Sequence, residues 1–256
     1  MASLRKFFLL ALTAGCLYVL AGAPYLADFT GTSSLLIAPV VGPLIISVSV
    51  ACGMLAASSS AWRWLQFPIV LIHELGHATA AVLLGGRARR IVLVKDGSGH
   101  AVYQLPDNFR VLRRVPASLA GYWAPSFVAC TAAVAAGNGL SRALVWLCAF
   151  ATSGMLILLV RSRWGALVAG GVLLGSAGAA RLLPGTAITL VVAFCAGVLA
   201  VGSVRSAYVQ IDADDITNSD AASIARELHL PARGIAWVQL LGCAMAALFA
   251  VITVSR

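Results

Sequence analysis

The run Ile72-His73-Glu74-Leu75-Gly76-His77-Ala78 sets two histidines four residues apart, with a glutamate beside the first. On a helix, residues four apart share a face, so both imidazoles reach one metal ion. Glu74 can then hold a water on that ion and accept its proton. Zinc lowers the pKa of such a water to about 7, within reach of a carboxylate near neutral pH. In a chain with only four histidines, chance yields this pattern with a probability on the order of 10⁻³ to 10⁻⁴. The surrounding residues are apolar. An ionisable group at a bilayer centre costs roughly 2.5–3.5 kcal/mol, so three on one helix call for a shared partner.

Two histidines leave zinc short of a ligand, because catalytic sites have three protein ligands and an open position. The candidates for the third are His100, His229, Asp212, Asp214, Asp215 and Asp220. All fall in two polar stretches, about 86–116 and 205–234. His77 lies about eight residues, or roughly 12 Å of helix, from the nearer end of its apolar run. The site is therefore expected inside the membrane but close to one face, and an acidic ligand just before the last apolar run fits that depth.

The elements that position these residues are membrane helices. Of 256 residues, 61% are hydrophobic and 11% charged. A soluble domain is nearer half apolar and a quarter charged, so a water-soluble enzyme and a disordered tail are excluded. Apolar stretches fall near 7–26, 34–57, 64–85, 117–136, 141–160, 164–180, 184–204 and 235–254. The fold class is an all-α polytopic membrane protein with about 7–8 transmembrane helices, plus a short β-hairpin after the His-Glu-x-x-His helix. Residues 1–57 form N-terminal membrane helices of uncertain topology; residues 58–256 form the metal-bearing core. Gly171-x-x-x-Gly175 suggests close helix packing. Six scattered cysteines with no close pair argue against a disulfide framework or a cysteine metal site.

The net charge of +9, from 18 basic and 9 acidic residues, is carried mainly between the apolar runs. It points to lipid headgroups and orientation, with no nucleic-acid partner. Arg87, Arg89, Arg90, Lys95, Arg110, Arg113 and Arg114 form one cluster; Arg161 and Arg163, then Arg205, Arg226 and Arg233, form two more. Alternating spans put all three on one side, expected to be the cytoplasm of a bacterial plasma membrane. Arg5 and Lys6 fit this only if one of the first two stretches does not cross. The second, with Pro39 and Pro43, is a candidate re-entrant segment. The first reads as an uncleaved membrane helix, with a cleaved signal segment as the alternative.

The motif resembles the active-site helix of site-2 protease-type intramembrane zinc metallopeptidases, and more narrowly a compact bacterial branch of that family. The resemblance extends over roughly residues 64–254, through Gly85-Gly86-Arg87, the run Arg90-Ile91-Val92-Leu93-Val94, Asp96-Gly97-Ser98-Gly99, Ala120-Gly121-Tyr122, Pro125 and Ser219-Asp220-Ala221. It implies Zn²⁺ held by His73, His77 and an aspartate, with Glu74 as general base. The family's aspartate stands in Leu-Asp-Gly; here Ser219 and Ala221 replace the flanking residues, and the role is carried to Asp220, with Asp214 and Asp215 as rivals. Asn218 is a weaker candidate for orienting substrate or water.

Residues 90–104 read as two short β runs around an Asp-Gly turn. The resemblance gives that hairpin a purpose: an unwound substrate segment can add to its edge as a strand. The loops are too short for an accessory domain. The expected activity is endoproteolysis of the transmembrane segment of another protein. The alternative is a non-proteolytic metal-binding membrane scaffold, and Glu74 separates the two, since binding metal needs only the histidines. Substrate and oligomeric state are not written in the sequence.

Overall fold

A computed structural model describes residues 62–212 and 216–254. The expectations for residues 1–57, and for Asp214 and Asp215, lie outside the described residues. The described elements are α1 (Trp62–Leu83), β1 (Arg87–Leu93), β2 (Gly99–Gln104), α2 (Arg110–Gly137), α3 (Ser141–Leu158), α4 (Arg163–Leu182), α5 (Gly185–Asp212), α6 (Asp220–Leu228) and α7 (Ala232–Val254). The described residues are mostly helical, with one two-stranded sheet among them. Among the described residues five helices, α2 to α5 and α7, are long and apolar enough to cross a membrane. The chain is an integral membrane protein.

Helix α2 is the hub, packing against α1, α5 and α7. Small residues let it come close to α1. A Cβ on Gly76 would stand 2.5 Å from the Ala120 carbonyl oxygen and 2.6 Å from the Ala124 methyl. The apolar contacts divide into local clusters. Leu71, Ala78, Ile91, Leu93, Met155 and Ala169 join α1 to the hairpin, α3 and α4. Ala221, Ile224, Ala225, Ile235 and Ala236 join α6 to α7.

The turn from α1 into the hairpin explains Gly85-Gly86. Gly85 has φ +81°, the left-handed conformation that ends a helix. A Cβ on Gly86 would meet the Ala81 carbonyl oxygen at 2.8 Å and clash with that of Gln104. In the hairpin, Ile91 pairs with Ala101 and Leu93 with Gly99, with an irregularity between Ala88 and Arg90. The turn closes through Gly97 N–H to the Val94 carbonyl at 3.1 Å, with Gly97 at φ +91°.

The outer edge of β1 is already paired. Ile91 N–H donates to the Leu159 carbonyl at 2.8 Å, and Arg161 N–H donates to the Ile91 carbonyl at 3.1 Å. Ser162 adds a further tie, accepting from Leu93 N–H at 3.0 Å and capping α4 through Gly165 N–H at 3.1 Å. Both backbone groups of Ile91 point away from β2. In an antiparallel ladder its partner Ala101 must then point its own groups away from β1, toward the other edge.

Two details depart from the sequence expectations. A Cβ on Gly171 or Gly175 would meet nothing within 4 Å among the described residues; the x-x-x spacing there marks no close helix contact within them. The polar stretch 205–234 is largely helical: α5 runs on to Asp212, and α6 forms where no element was expected.

Candidate metal centre

His73 and His77 lie one turn apart on α1 and turn to the same side. His77 Nε2 is 3.1 Å from His73 Nε2 and 3.1 Å from Asp220 Oδ2, and His73 Nε2 is 3.2 Å from Asp220 Oδ2. Asp220 comes from α6, 143 residues along the chain from His77. Among the described residues, these three are the histidine, cysteine and acidic side chains grouped closely enough to share an ion. His100 on β2 and His229 at the end of α6 stand outside the group, as does Asp212 at the end of α5.

The donor atoms suit a metal. The Ala117 carbonyl can only accept, so His77 Nδ1, at 2.7 Å, donates to it. A neutral imidazole then has a bare lone pair on Nε2. That lone pair faces a second imidazole nitrogen and a carboxylate oxygen. Three electron-rich atoms converge on one point, an arrangement a cation resolves. Their spacing is close to the roughly 3.3–3.5 Å between ligand atoms on a tetrahedron with zinc-length bonds.

Helix α1 carries two of the ligands and α6 the third, and neighbouring groups hold each in place. Gly121 of α2 lies against both rings: an added Cβ would be 2.9 Å from His73 Cε1 and would overlap the His77 ring. Tyr122 meets His73 edge-on, with ring centroids 4.7 Å apart. Tyr103 of β2 stacks on His77 at 6.1 Å. Asp220 is the first residue of α6, whose N-cap Ser219 accepts from Ala222 N–H at 3.1 Å. Serine in place of the family's leucine therefore lets the helix begin at the aspartate, where a negative charge also meets the positive helix end. Burial works to raise the Asp220 carboxyl pKa. Contacts with His73 and His77 outweigh it and hold the carboxyl well below the usual carboxylate range.

Glu74 and His77 are each only 5% exposed. The Glu74 side chain runs under the start of β2, where a Cβ on Gly99 would stand 3.1 Å from Glu74 Cγ. The backbone of Ala101 hydrogen-bonds to the Glu74 carboxylate, which agrees with the outward direction of its N–H. Glu74 and the three converging donor atoms thus border one cleft. A cavity of about 250 Å³, lined by His73, Glu74, Ser98, Gly99 and Tyr122, opens onto it.

A model of the Peptidase M50B-like family matches residues 44–253. The chain belongs to that family. It is a membrane metallopeptidase of the site-2 protease kind, and the M50B-like match runs from before α1 to the last turn of α7. No curated protein and no solved structure matches the chain.

Three features of the centre were not anticipated from the sequence: the Ala117 carbonyl, the Tyr103 ring and the part played by Gly121 as a seat for two imidazoles. Gly121 and Tyr122 belong to a motif that the family resemblance had marked without a reason. Ala117 acts through its backbone and has no side-chain signal.

Proposed function

We propose that this M50B-like chain is a zinc-dependent intramembrane endopeptidase. Its substrates are transmembrane segments of other membrane proteins, cut within or near the bilayer, as in regulated intramembrane proteolysis. It works as a multi-pass protein of a bacterial plasma membrane, with the centre nearer the cytoplasmic side. The observation that carries this reading is the convergence of His73, His77 and Asp220 within 3.2 Å of one another, with Glu74 beside His73 on the same helix.

His73, His77 and Asp220 would hold the ion. Zinc bound there would supply Lewis-acid polarisation of the scissile carbonyl and acidify a water. The carboxylate of Glu74 accepts the proton of the attacking water and passes it to the departing amide nitrogen. Its burial keeps competing bulk water away. Ala117 holds the His77 ring in the tautomer a ligand needs.

A helical peptide bond is hydrogen-bonded and shielded, so the substrate must unwind before it is attacked. Among the described residues no strand covers the outer edge of β2, which offers the unwound segment replacement backbone partners. Gly99 and Ala101 turn their backbone groups toward that edge; Glu74 holds the Ala101 N–H, which leaves the Ala101 carbonyl and the groups of Gly99 for the peptide.

The test is metal content with paired activity, on wild type, Glu74→Gln and Asp220→Ala purified in a mild detergent. About one zinc per chain is expected in wild type and Glu74→Gln, with cleavage of transmembrane peptides in wild type alone. Asp220→Ala should lose the metal. Wild type that holds zinc and cleaves none of a broad substrate panel is the metal-binding scaffold, and wild type without zinc refutes the reading altogether.

A further inference from the structure

The strand β2 has a cavity at each end. The smaller one opens onto the metal centre, as described. The larger, of about 630 Å³, begins at Tyr103 and is lined by Leu105, Arg110, Arg114, Arg226 and Glu227. Tyr103 is common to both surroundings: its ring stacks on His77 and also walls the larger cavity. From Ala101 to Leu105 is a path of four residues, roughly 13 Å of strand. A peptide laid along the free edge of β2 past Glu74 therefore arrives at this cavity.

The charges around it do not balance. Arg110 Nε and Arg114 Nη1 donate to the same oxygen, Glu227 Oε1, at 3.1 and 3.0 Å. One carboxylate thus serves two guanidiniums. Arg226 brings a third, and its bonds go to the Thr217 carbonyl and the Ser223 hydroxyl, both uncharged. Three positive charges face one negative charge. Each guanidinium has five N–H donors in a planar fork, so donors remain for a further acceptor. The group that fits is another carboxylate, which takes two parallel hydrogen bonds from such a fork. Leu105 supplies an apolar wall for its methylenes.

We propose that this cavity is a specificity subsite that takes an acidic side chain of the peptide substrate, three or four residues from the bond that is cut. This rests on the proteolytic reading given above. Continuity with the β2 edge favours a peptide carboxylate over a lipid headgroup. The carboxylate reaches the arginines only if the same chain passes Tyr103, and this fixes its distance from the scissile bond.

The test measures binding and cleavage separately. Zinc-loaded Glu74→Gln protein in neutral detergent is titrated with labelled transmembrane peptides. Each peptide carries one glutamate, moved residue by residue, against a glutamine control at the same position. One narrow position should bind about tenfold tighter with glutamate than with glutamine. Arg114→Gln and Arg226→Gln, each added to that background, should bring the ratio below twofold. A ratio below twofold at every position overturns the proposal, and so does a preference that survives in both arginine variants. Flat peptide ratios, with the arginine variants losing co-purified anionic lipid, would make the cavity a headgroup site and also overturn it. The cleavage arm uses wild type with the neutral peptide. Failure there with an intact glutamate preference defeats the protease reading and leaves the carboxylate site standing; cleavage with flat ratios does the reverse.

Discussion

Asp220 and Glu227 stand two turns apart on α6 and hold it at both ends. Asp220 meets the histidines of α1, and Glu227 takes Arg110 and Arg114 of α2. A nine-residue helix is too short to be stable by itself. Its place is set by these two anchors and by the apolar contacts of Ile224 and Ala225 with α7. The geometry of the third ligand therefore depends on an ion pair remote from the metal centre.

Loosening that anchor should be visible and should depend on pH. Burial of Glu227 favours its neutral form. The hydrogen bonds and charges of Arg114 and Arg110 prevail, so its pKa lies below the ordinary 4.5. A depressed folded-state pKa contributes stability that is fully present above the unfolded value and is lost as pH falls through the folded value. Glu227→Gln should therefore lower the hydrogen-exchange protection of α6 amides about threefold at neutral pH. The gap between wild type and variant should close as pH is taken below 4.5. A gap that is constant with pH would show that the ion pair contributes nothing to holding α6.

Gly121 should tolerate no side chain. A methyl there would enter the space of both imidazoles, and overpacking of that kind costs about 1–3 kcal/mol. The added methyl would press on the His77 Nε2 edge, the side that meets Asp220. Gly121→Ala should fold, keep its helical circular dichroism and lose at least tenfold in zinc affinity. Gly154→Ala on α3 is the control, because an added Cβ there meets nothing within 4 Å. It should keep full metal content and gain slightly in stability, since alanine is the better helix former. Equal zinc affinity in the two variants would mean that Gly121 is not the seat of the rings.

Much of this architecture is written locally in the sequence, and some of it is not. His73, Glu74 and His77 could be read because a fixed spacing on one helix settles their shared face. The hairpin could be read from Asp96-Gly97 and the β-branched run before it. Asp220 could be reached only through its resemblance to a family motif. Nothing in the spacing distinguishes it from Asp212, which ends α5 outside the cluster, because the choice is made by how α6 packs on α2 and α7. The start of α6 at Asp220 was legible in principle from Ser219, an ordinary N-cap residue. The long polar flank obscured it. The two ends of α5 and α2 that run beyond their apolar segments were missed for a related reason: hydropathy marks the part of a helix inside lipid and is silent about the turns that continue into water. The Ala117 carbonyl was beyond reach, since every residue carries the same group.

The free edge of β2 leads to a prediction about the substrate itself. Ile91 commits both of its backbone groups to Leu159 and Arg161, so strand addition at β1 is blocked there, and among the described residues the open edge is that of β2. A strand added to β2 forms ladder bonds through alternate residues. Methylating a backbone nitrogen removes its donor. In a series of transmembrane peptides methylated at one nitrogen each, cleavage should fall at least tenfold at every second position through a window of four to six residues around the scissile bond. The positions between should lose little. Mass spectrometry of the products, with rates from a quenched fluorophore pair, reads the pattern directly. A uniform loss across the window would mean that the peptide is gripped by its side chains, and an alternating one fixes which backbone groups of the substrate face Gly99 and Ala101.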